Sequence, residues 1–161
     1  MKIEHFVART EDPARMYEWR NLLGVCTGVL EVGLDGATHT CDTARGDRPL
    51  HVHPAKPPPR PEDVFILEKT GRIEPVGQAA EADCKTLNIN ADVLVADRRA
   101  VVDELRRKLR HADDIGTIRR LLKTASTPAR NELPQYSRVA IEYLQRKLRA
   151  REQQGHSQDR E

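Results

Sequence analysis

Short apolar stretches separated by turn residues occupy the first half of the chain and predict a small sheet. Residues 2–8 are apolar and β-prone, which predicts a strand. Asp12 and Pro13 suit the start of a helix ending at Gly24, because a carboxylate caps free amides and proline fits the first turn. The apolar face of this predicted helix consists of Met16, Trp19, Leu22 and Leu23.

Three more strands are predicted before the middle of the chain. They lie at residues 25–33, 37–43 and 50–53, which gives the element order β-α-β-β-β. Asp35 and Gly36 favour a tight hairpin between the first two of them, since both residues tolerate the positive φ of a primed turn. The proline-rich residues 54–61 predict a stiff polyproline-like connector, because proline fixes φ and lacks an N–H.

The pattern is less regular after this connector. Residues 62–69 fit either a strand or a helix, because their apolar run is too short to distinguish the two. Residues 73–83 predict a surface loop, and residues 86–96 have the pattern of a strand. Asp97 is a suitable N-cap, and it predicts a helix that runs to Arg110.

Apolar residues recur at helical spacing after Asp97 and predict three helices. Asp113 or Asp114 caps the second helix, and the third spans residues 135–151. Residues 153–161 are polar, which predicts a frayed end. The apolar positions of the three helices are Val101, Val102, Leu105, Leu109, Ile115, Ile118, Leu121, Leu122, Tyr136, Ala140, Leu144 and Leu148.

Together these elements predict an α+β fold. It consists of a small antiparallel or mixed sheet with one packed helix, followed by a basic three-helix C-terminal part. The predicted divisions are an acidic α+β domain at 1–97 with the connector at 54–61, a basic helical region at 98–152, and a disordered tail at 153–161.

Charge changes sign along the chain. Residues 1–97 contain 11 Lys and Arg against 16 Asp and Glu, a net charge of −5. Residues 98–161 contain 16 Lys and Arg against nine Asp and Glu, a net charge of +7. Such asymmetry indicates that the basic part meets a polyanion or docks on an acidic surface.

Arginine is the main basic residue after position 97, and its planar guanidinium suits phosphate and carboxylate recognition. The tight predicted turn at His111 and Ala112 is compatible with a helix-turn-helix, with residues 115–124 as the recognition helix. The predicted nucleic-acid contacts are Arg99, Arg106, Arg110, Thr117, Arg119, Arg120, Lys123, Arg146, Lys147 and Arg149.

The leading functional hypothesis is therefore a non-enzymatic accessory or regulatory factor. Its arginine-rich helices would engage nucleic acid or a nucleoprotein complex. Two alternatives remain open from charge alone. The basic helices are also typical of a solvated face with i,i+4 ion pairs, or of a protein-only adaptor that docks on a protein partner or on its own acidic part in a homo-oligomer.

Four residues in the predicted strands have the chemistry of soft-metal ligands. His39 and Cys41 are two residues apart, as are His51 and His53, so each pair would share one face of its strand. Imidazole and thiolate suit zinc. The four residues are therefore either ordinary polar positions of the strands in a cofactor-free protein, or ligands of one divalent metal, with zinc as the first candidate, in a metal-dependent enzyme.

The segment His51-Val52-His53 resembles the histidine–hydrophobic–histidine signature of the HUH endonucleases. Tyr143 with Lys147 is similar to the Tyr-x-x-x-Lys element of that family. This resemblance covers about eight residues. It implies a metal held by the two histidines and a tyrosine that attacks a DNA phosphate.

The opening of the chain resembles a vicinal-oxygen-chelate module, the superfamily of glyoxalases and extradiol dioxygenases. The resemblance rests on Ile3–Ala8, Asp12 and Met16–Gly24, which would form the first β-α unit of such a module. It implies that His5, on the first strand, is a metal ligand. After Arg110 the sequence turns helical, where that family has strands.

The three cysteines, Cys26, Cys41 and Cys84, are an odd number without the spacing of a disulfide framework. This predicts a reduced, cytoplasmic protein. The first residues lack the apolar core of a signal peptide, and no apolar run approaches the length of a membrane span. No membrane partner is expected.

Overall fold

The computed structural model describes residues 2–31, 37–54, 56, 63–130 and 132–158. The fold is α+β, as the sequence predicted. The chain divides into two compact units. Unit 1 consists of Met1–Glu68 and Ile73–Val95, and unit 2 consists of Lys69–Arg72 and Ala96–Glu161.

The strands described in unit 1 form three antiparallel pairs. The first pair is β1 (Lys2–His5) with β2 (Leu22–Val25), and the second is β3 (Val29–Glu31) with β4 (Ala37–His39). The third is β5 (Phe65–Leu67) with β6 (Ile73–Pro75). The pairing of β3 with β4 agrees with the predicted hairpin. The turn at residues 32–36 lies outside the described residues, as does most of the proline-rich connector.

The predicted helix between Asp12 and Gly24 is wrong. Asp12 does cap a helical turn, but it is the short 3₁₀ turn Pro13–Arg15, and a second 3₁₀ turn spans Trp19–Asn21. The buried side chain of Asn21 accepts from Val7 N–H (2.7 Å) and donates to the carbonyls of Val7 and Arg15. These bonds hold the segment as a loop and leave Trp19 83% exposed.

The predicted strand at 37–43 is too long, because the helix α1 (Cys41–Arg45) begins within it. Arg45 is only 4% exposed, and its buried side chain explains why the chain leaves the strand and forms α1 here. The guanidinium donates to the carbonyls of His5 (2.8 Å), Phe6 (2.5 Å) and Arg48 (2.7 Å). A buried arginine with such partners anchors α1 to the end of β1.

The predicted strand at 50–53 does not form either. The backbone amides of His51 and Val52 donate to the buried carboxylate of Asp83, at 3.0 and 2.7 Å, instead of to a neighbouring strand. His51 Nδ1 lies 2.9 Å from the same carboxylate. Asp83 therefore satisfies the donors that a strand would have placed in a ladder.

The predicted loop at 73–83 and the predicted strand at 86–96 are also wrong. The first contains β6 and the start of the helix α2 (Gln78–Thr86), and the second is a turn followed by α3 (Asp92–Leu109). The buried face of α2 consists of small or polar residues, Ala80, Asp83 and Cys84, so it lacks the apolar periodicity of a typical helix.

Unit 2 contains the predicted helical part. It contains α3 from Ala96 onward, α4 (Ile115–Ser126) and α5 (Ser137–Gln158). Asp114, one of the two predicted caps, accepts from Thr117 N–H at 2.9 Å. Asp97 lies inside α3 rather than at its start, and the helix α5 continues beyond the predicted frayed end at residue 153. The core cluster of unit 2 consists of Leu105, Leu109, Ile118, Ala125 and Leu144.

Gly28 provides a test of the β3–β4 geometry. Its φ is +66°, and a Cβ built there would lie 2.2 Å from the carbonyl oxygen of Thr40. Replacing Gly28 with alanine is expected to cost about 1–2 kcal/mol from the backbone conformation alone, and more from the clash. Thermal unfolding measures this loss. Gly46→Ala is the matched control, because Gly46 also has positive φ but has no atom within 4 Å of such a Cβ. A loss for Gly28→Ala of no more than about 2 kcal/mol, the part expected from the backbone conformation alone, would contradict the close approach.

Candidate nucleic-acid interface

The basic residues of α3 pair mainly within their own helix. Arg99 and Arg106 lie 3.6 and 3.3 Å from the carboxylate of Asp103. Arg107 and Lys108 pair with Glu104 in the same way. Acidic residues one turn away therefore partly neutralise the cations of α3.

The basic residues of α5 also lie near carboxylates. Arg146 is 4.0 Å from Glu142, and Lys147 is 3.3 Å from Asp113, which lies before α4. Across the pair of helices, Arg119 of α4 contacts Glu152 of α5 at 3.0 Å. Arg149 is exposed on α5. At least half of the ten predicted contact residues thus have an acidic partner within unit 2.

The helix α4 differs from its neighbours because it contains three cations and no acidic residue. Ile118 and Ala125 are buried, and α4 packs against α5. The opposite side, which we call the α4 outer face, consists of Gly116, Arg119, Arg120, Lys123 and Thr124 and is exposed. Within the part of the chain that the structure describes, Arg120 and Lys123 have no ion-pair partner.

Two further predicted contact residues lie before α4 and in its first turn. Arg110 is exposed in the turn that precedes α4, again without an ion pair to any described residue. Thr117 is half-buried in the first turn of α4, and its backbone N–H is used by the Asp114 cap. Arg110 therefore adds an exposed charge in the turn before α4, whereas the Thr117 amide is bonded within the helix cap.

Asp113 joins the start of α4 to α5. One of its oxygens, Oδ2, pairs with both Lys147 and Arg151, and the other is buried without a hydrogen-bond partner among the described residues. The Arg151 guanidinium and the Lys147 ammonium hold the pKa of Asp113 below its ordinary value of 3.8. These contacts fix the position from which α4 begins.

The lowered pKa of Asp113 predicts how the stability of unit 2 depends on pH. A carboxyl whose pKa is lower in the folded state stabilises fully above the unfolded value of 3.8. That contribution is lost as the pH falls through the folded-state pKa. We expect Asp113→Asn to lower the urea midpoint at about pH 5 and to have little effect near about pH 2. An equal effect at both pH values would contradict the pairing.

The four predicted metal ligands do not form the predicted strand faces. His39 lies at the end of β4, whereas Cys41 begins α1 and has φ +53°. His51 points to Asp83, and the ring of His53 packs on Phe6 with centroids 4.3 Å apart. Among the residues described, no group of three or more His, Cys, Asp or Glu side chains is placed to hold a metal ion.

The residues on which the two family resemblances rest make hydrogen bonds, ion pairs and packing contacts within the fold. His5 Nε2 lies 2.9 Å from the carbonyl oxygen of Met16. Tyr143 packs against the core cluster of unit 2, and Lys147 contacts Asp113. His51 and His53 belong to unit 1.

A polar cleft of about 330 Å³ in unit 1 was not predicted from the sequence. It is lined in part by Glu4, Asp42 and Asp47, and Lys2 pairs with Asp42 at 2.7 Å. Thr10 donates to Asp47 at 3.1 Å. Arg9 and Arg45 also line the cleft, but its three carboxylates outnumber them, so the α4 outer face is the stronger candidate for binding a polyanion.

Protein-family models, curated proteins and solved structures were compared with the chain, and none of the three gives a match. A function for this chain therefore has to be inferred from the geometry of the residues described. No helix among them combines the length and the apolar character needed to cross a bilayer.

Proposed function

We propose that the protein binds nucleic acid through the α4 outer face, as a non-enzymatic accessory or regulatory factor. One observation supports this proposal above the others. Arg120 and Lys123 are exposed on a helix with no acidic residue, while most cations of α3 and α5 have carboxylate partners. Cations that lack partners within the described residues are the ones able to neutralise an external anion.

The arrangement of α4 suits a phosphate backbone. Residues at i and i+3 of a helix have Cβ atoms about 5–6 Å apart, so Arg120 and Lys123 present two charges on one side. The guanidinium of Arg120 can bind a phosphate with two parallel hydrogen bonds. Because the apolar side of α4 packs on α5, these charges stand on a fixed support rather than on a loop.

The test is binding of the full chain to labelled duplex DNA, single-stranded DNA and RNA at low and moderate salt. We expect binding to at least one of them that weakens steeply as salt rises, because each neutralised phosphate releases counterions. Absence of binding to all three, or binding that does not respond to salt, would overturn the proposal.

A second ligand distinguishes nucleic acid from an acidic protein surface. Polyglutamate is also a polyanion, but it carries carboxylates instead of phosphates. We expect nucleic acid to bind more tightly than polyglutamate at the same salt concentration. Tighter binding to polyglutamate would indicate a protein-only adaptor instead.

A further inference from the structure

Cys26 and Cys41 lie at the open end of the β3–β4 hairpin. Cys26 precedes β3, and Cys41 follows β4 at the start of α1. The strand register pairs Val29 with His39, and Thr40 N–H donates to Gly28 O at 2.7 Å, which continues the pairing towards the two cysteines. This pairing brings Cys26, two residues before Gly28, next to Cys41, one residue after Thr40, so that the Cys26 thiol is near enough to affect the pKa of Cys41.

The two thiols differ in access to solvent. Cys26 is exposed, whereas Cys41 is half-buried and its backbone N–H is bonded to Leu87 O at 2.7 Å. Burial, together with the neighbouring Cys26 thiol, raises the pKa of Cys41 to about 11. A small disulfide in solution therefore reacts first with the exposed Cys26. Cys41, next to it, stays a protonated thiol.

We infer that Cys26 and Cys41 form a reversible intramolecular disulfide by exchange with a low-molecular-weight disulfide of the glutathione class. In the first step the Cys26 thiolate attacks one sulfur of the small disulfide, and one small thiolate leaves. In the second step Cys41 loses its proton to solvent and attacks the Cys26 sulfur, which releases the second small thiolate. Two protein thiols are oxidised, and one small disulfide is reduced to two thiols.

The cross-link would close the hairpin at its open end. It would join the residue before β3 to the first residue of α1, which Arg45 already anchors to the carbonyls of His5 and Phe6. The oxidised form is therefore expected to open less readily at this hairpin, since the disulfide removes the freedom of the intervening chain in the unfolded state.

The experiment exposes the folded full chain to oxidised glutathione, blocks the remaining thiols, and measures the mass. We expect the loss of two hydrogen atoms per chain and the loss of two free thiols. A protease that cuts after glutamate separates the cysteines at Glu31, so only a disulfide keeps the two peptides together. A stable glutathione adduct on Cys26 with Cys41 still free would overturn the inference.

Three single variants complete the test. In Cys41→Ser the reaction should stop at the mixed disulfide of Cys26 with glutathione, and in Cys26→Ser the cross-link should be absent. Cys84→Ser is the matched control, because Cys84 is buried in α2 and should not alter the cross-link. A cross-link that includes Cys84, or one between two chains instead of within one, would contradict the assignment.

Discussion

Replacing Leu144 with alanine is expected to destabilise unit 2 by about 2–5 kcal/mol. Leu144 is fully buried on α5, in the cluster that contains Ile118 of α4 and Leu105 of α3. The substitution removes apolar surface and leaves a cavity that neighbouring side chains fill only in part. Urea unfolding followed by circular dichroism measures the change, because unit 2 is mainly helical.

The control for this substitution is Leu133→Ala. Leu133 lies between α4 and α5 and is 51% exposed, so the same chemical change removes far less buried surface. We expect its effect to stay within about 0.5 kcal/mol. Similar losses for the two variants would show that Leu144 does not occupy the core.

Neutralising Arg120 and Lys123, the cations of the α4 outer face that have no ion-pair partner among the described residues, is expected to cause the largest loss of binding. In the double variant Arg120→Gln with Lys123→Gln, affinity for nucleic acid at low salt should fall by about tenfold for each phosphate that is no longer neutralised. For duplex DNA the slope of log affinity against log salt should decrease by about two, since two cations are removed. A filter-binding or fluorescence-anisotropy titration over a salt series gives both quantities.

A matched variant separates this effect from net charge. Arg107→Gln with Lys108→Gln replaces the same two residue types on α3, where both pair with Glu104. The net charge changes by the same amount, so any general electrostatic effect is shared. We expect a clearly smaller loss of affinity for this control. Equal losses would locate binding outside the α4 outer face.

The helices of unit 2 were predictable because each has a clear apolar stripe. Val102, Leu105 and Leu109 lie on one side of α3 and are buried, as their spacing indicated. The Asp114 cap was also visible in the sequence, since a side-chain carboxylate before an apolar run satisfies the free amides of the first turn. Local sequence patterns of this kind predict a helix correctly when the helix packs through one face only.

Unit 1 was less predictable because buried polar side chains determine much of its path. Asn21, Arg45 and Asp83 are nearly inaccessible, and each bonds to backbone groups distant in sequence. A sequence pattern treats such residues as surface positions, so the helix at 12–24 and the strand at 50–53 were predicted in error. The helix α2 was missed for the same reason, because its buried face consists of small and polar residues instead of an apolar stripe.

The candidate interface was predictable in composition but not in detail. The excess of arginine after residue 97 was plain from the sequence, and the i,i+4 pairs of α3 follow from spacing alone. The pairing of Asp113 with Lys147 and Arg151 joins residues more than 30 positions apart. Only the folded structure shows which cations have an ion-pair partner. It also shows that Arg120 and Lys123 of α4 have none among the described residues.

The most direct test of the central proposal is a map of amide chemical shifts as an oligonucleotide is added to the full chain. We predict that the shifts concentrate on the α4 outer face, at Gly116, Arg119, Arg120, Lys123 and Thr124, and on Arg110 in the turn before α4. Shifts centred on another element, or no shifts under conditions of low salt, would contradict binding through this face.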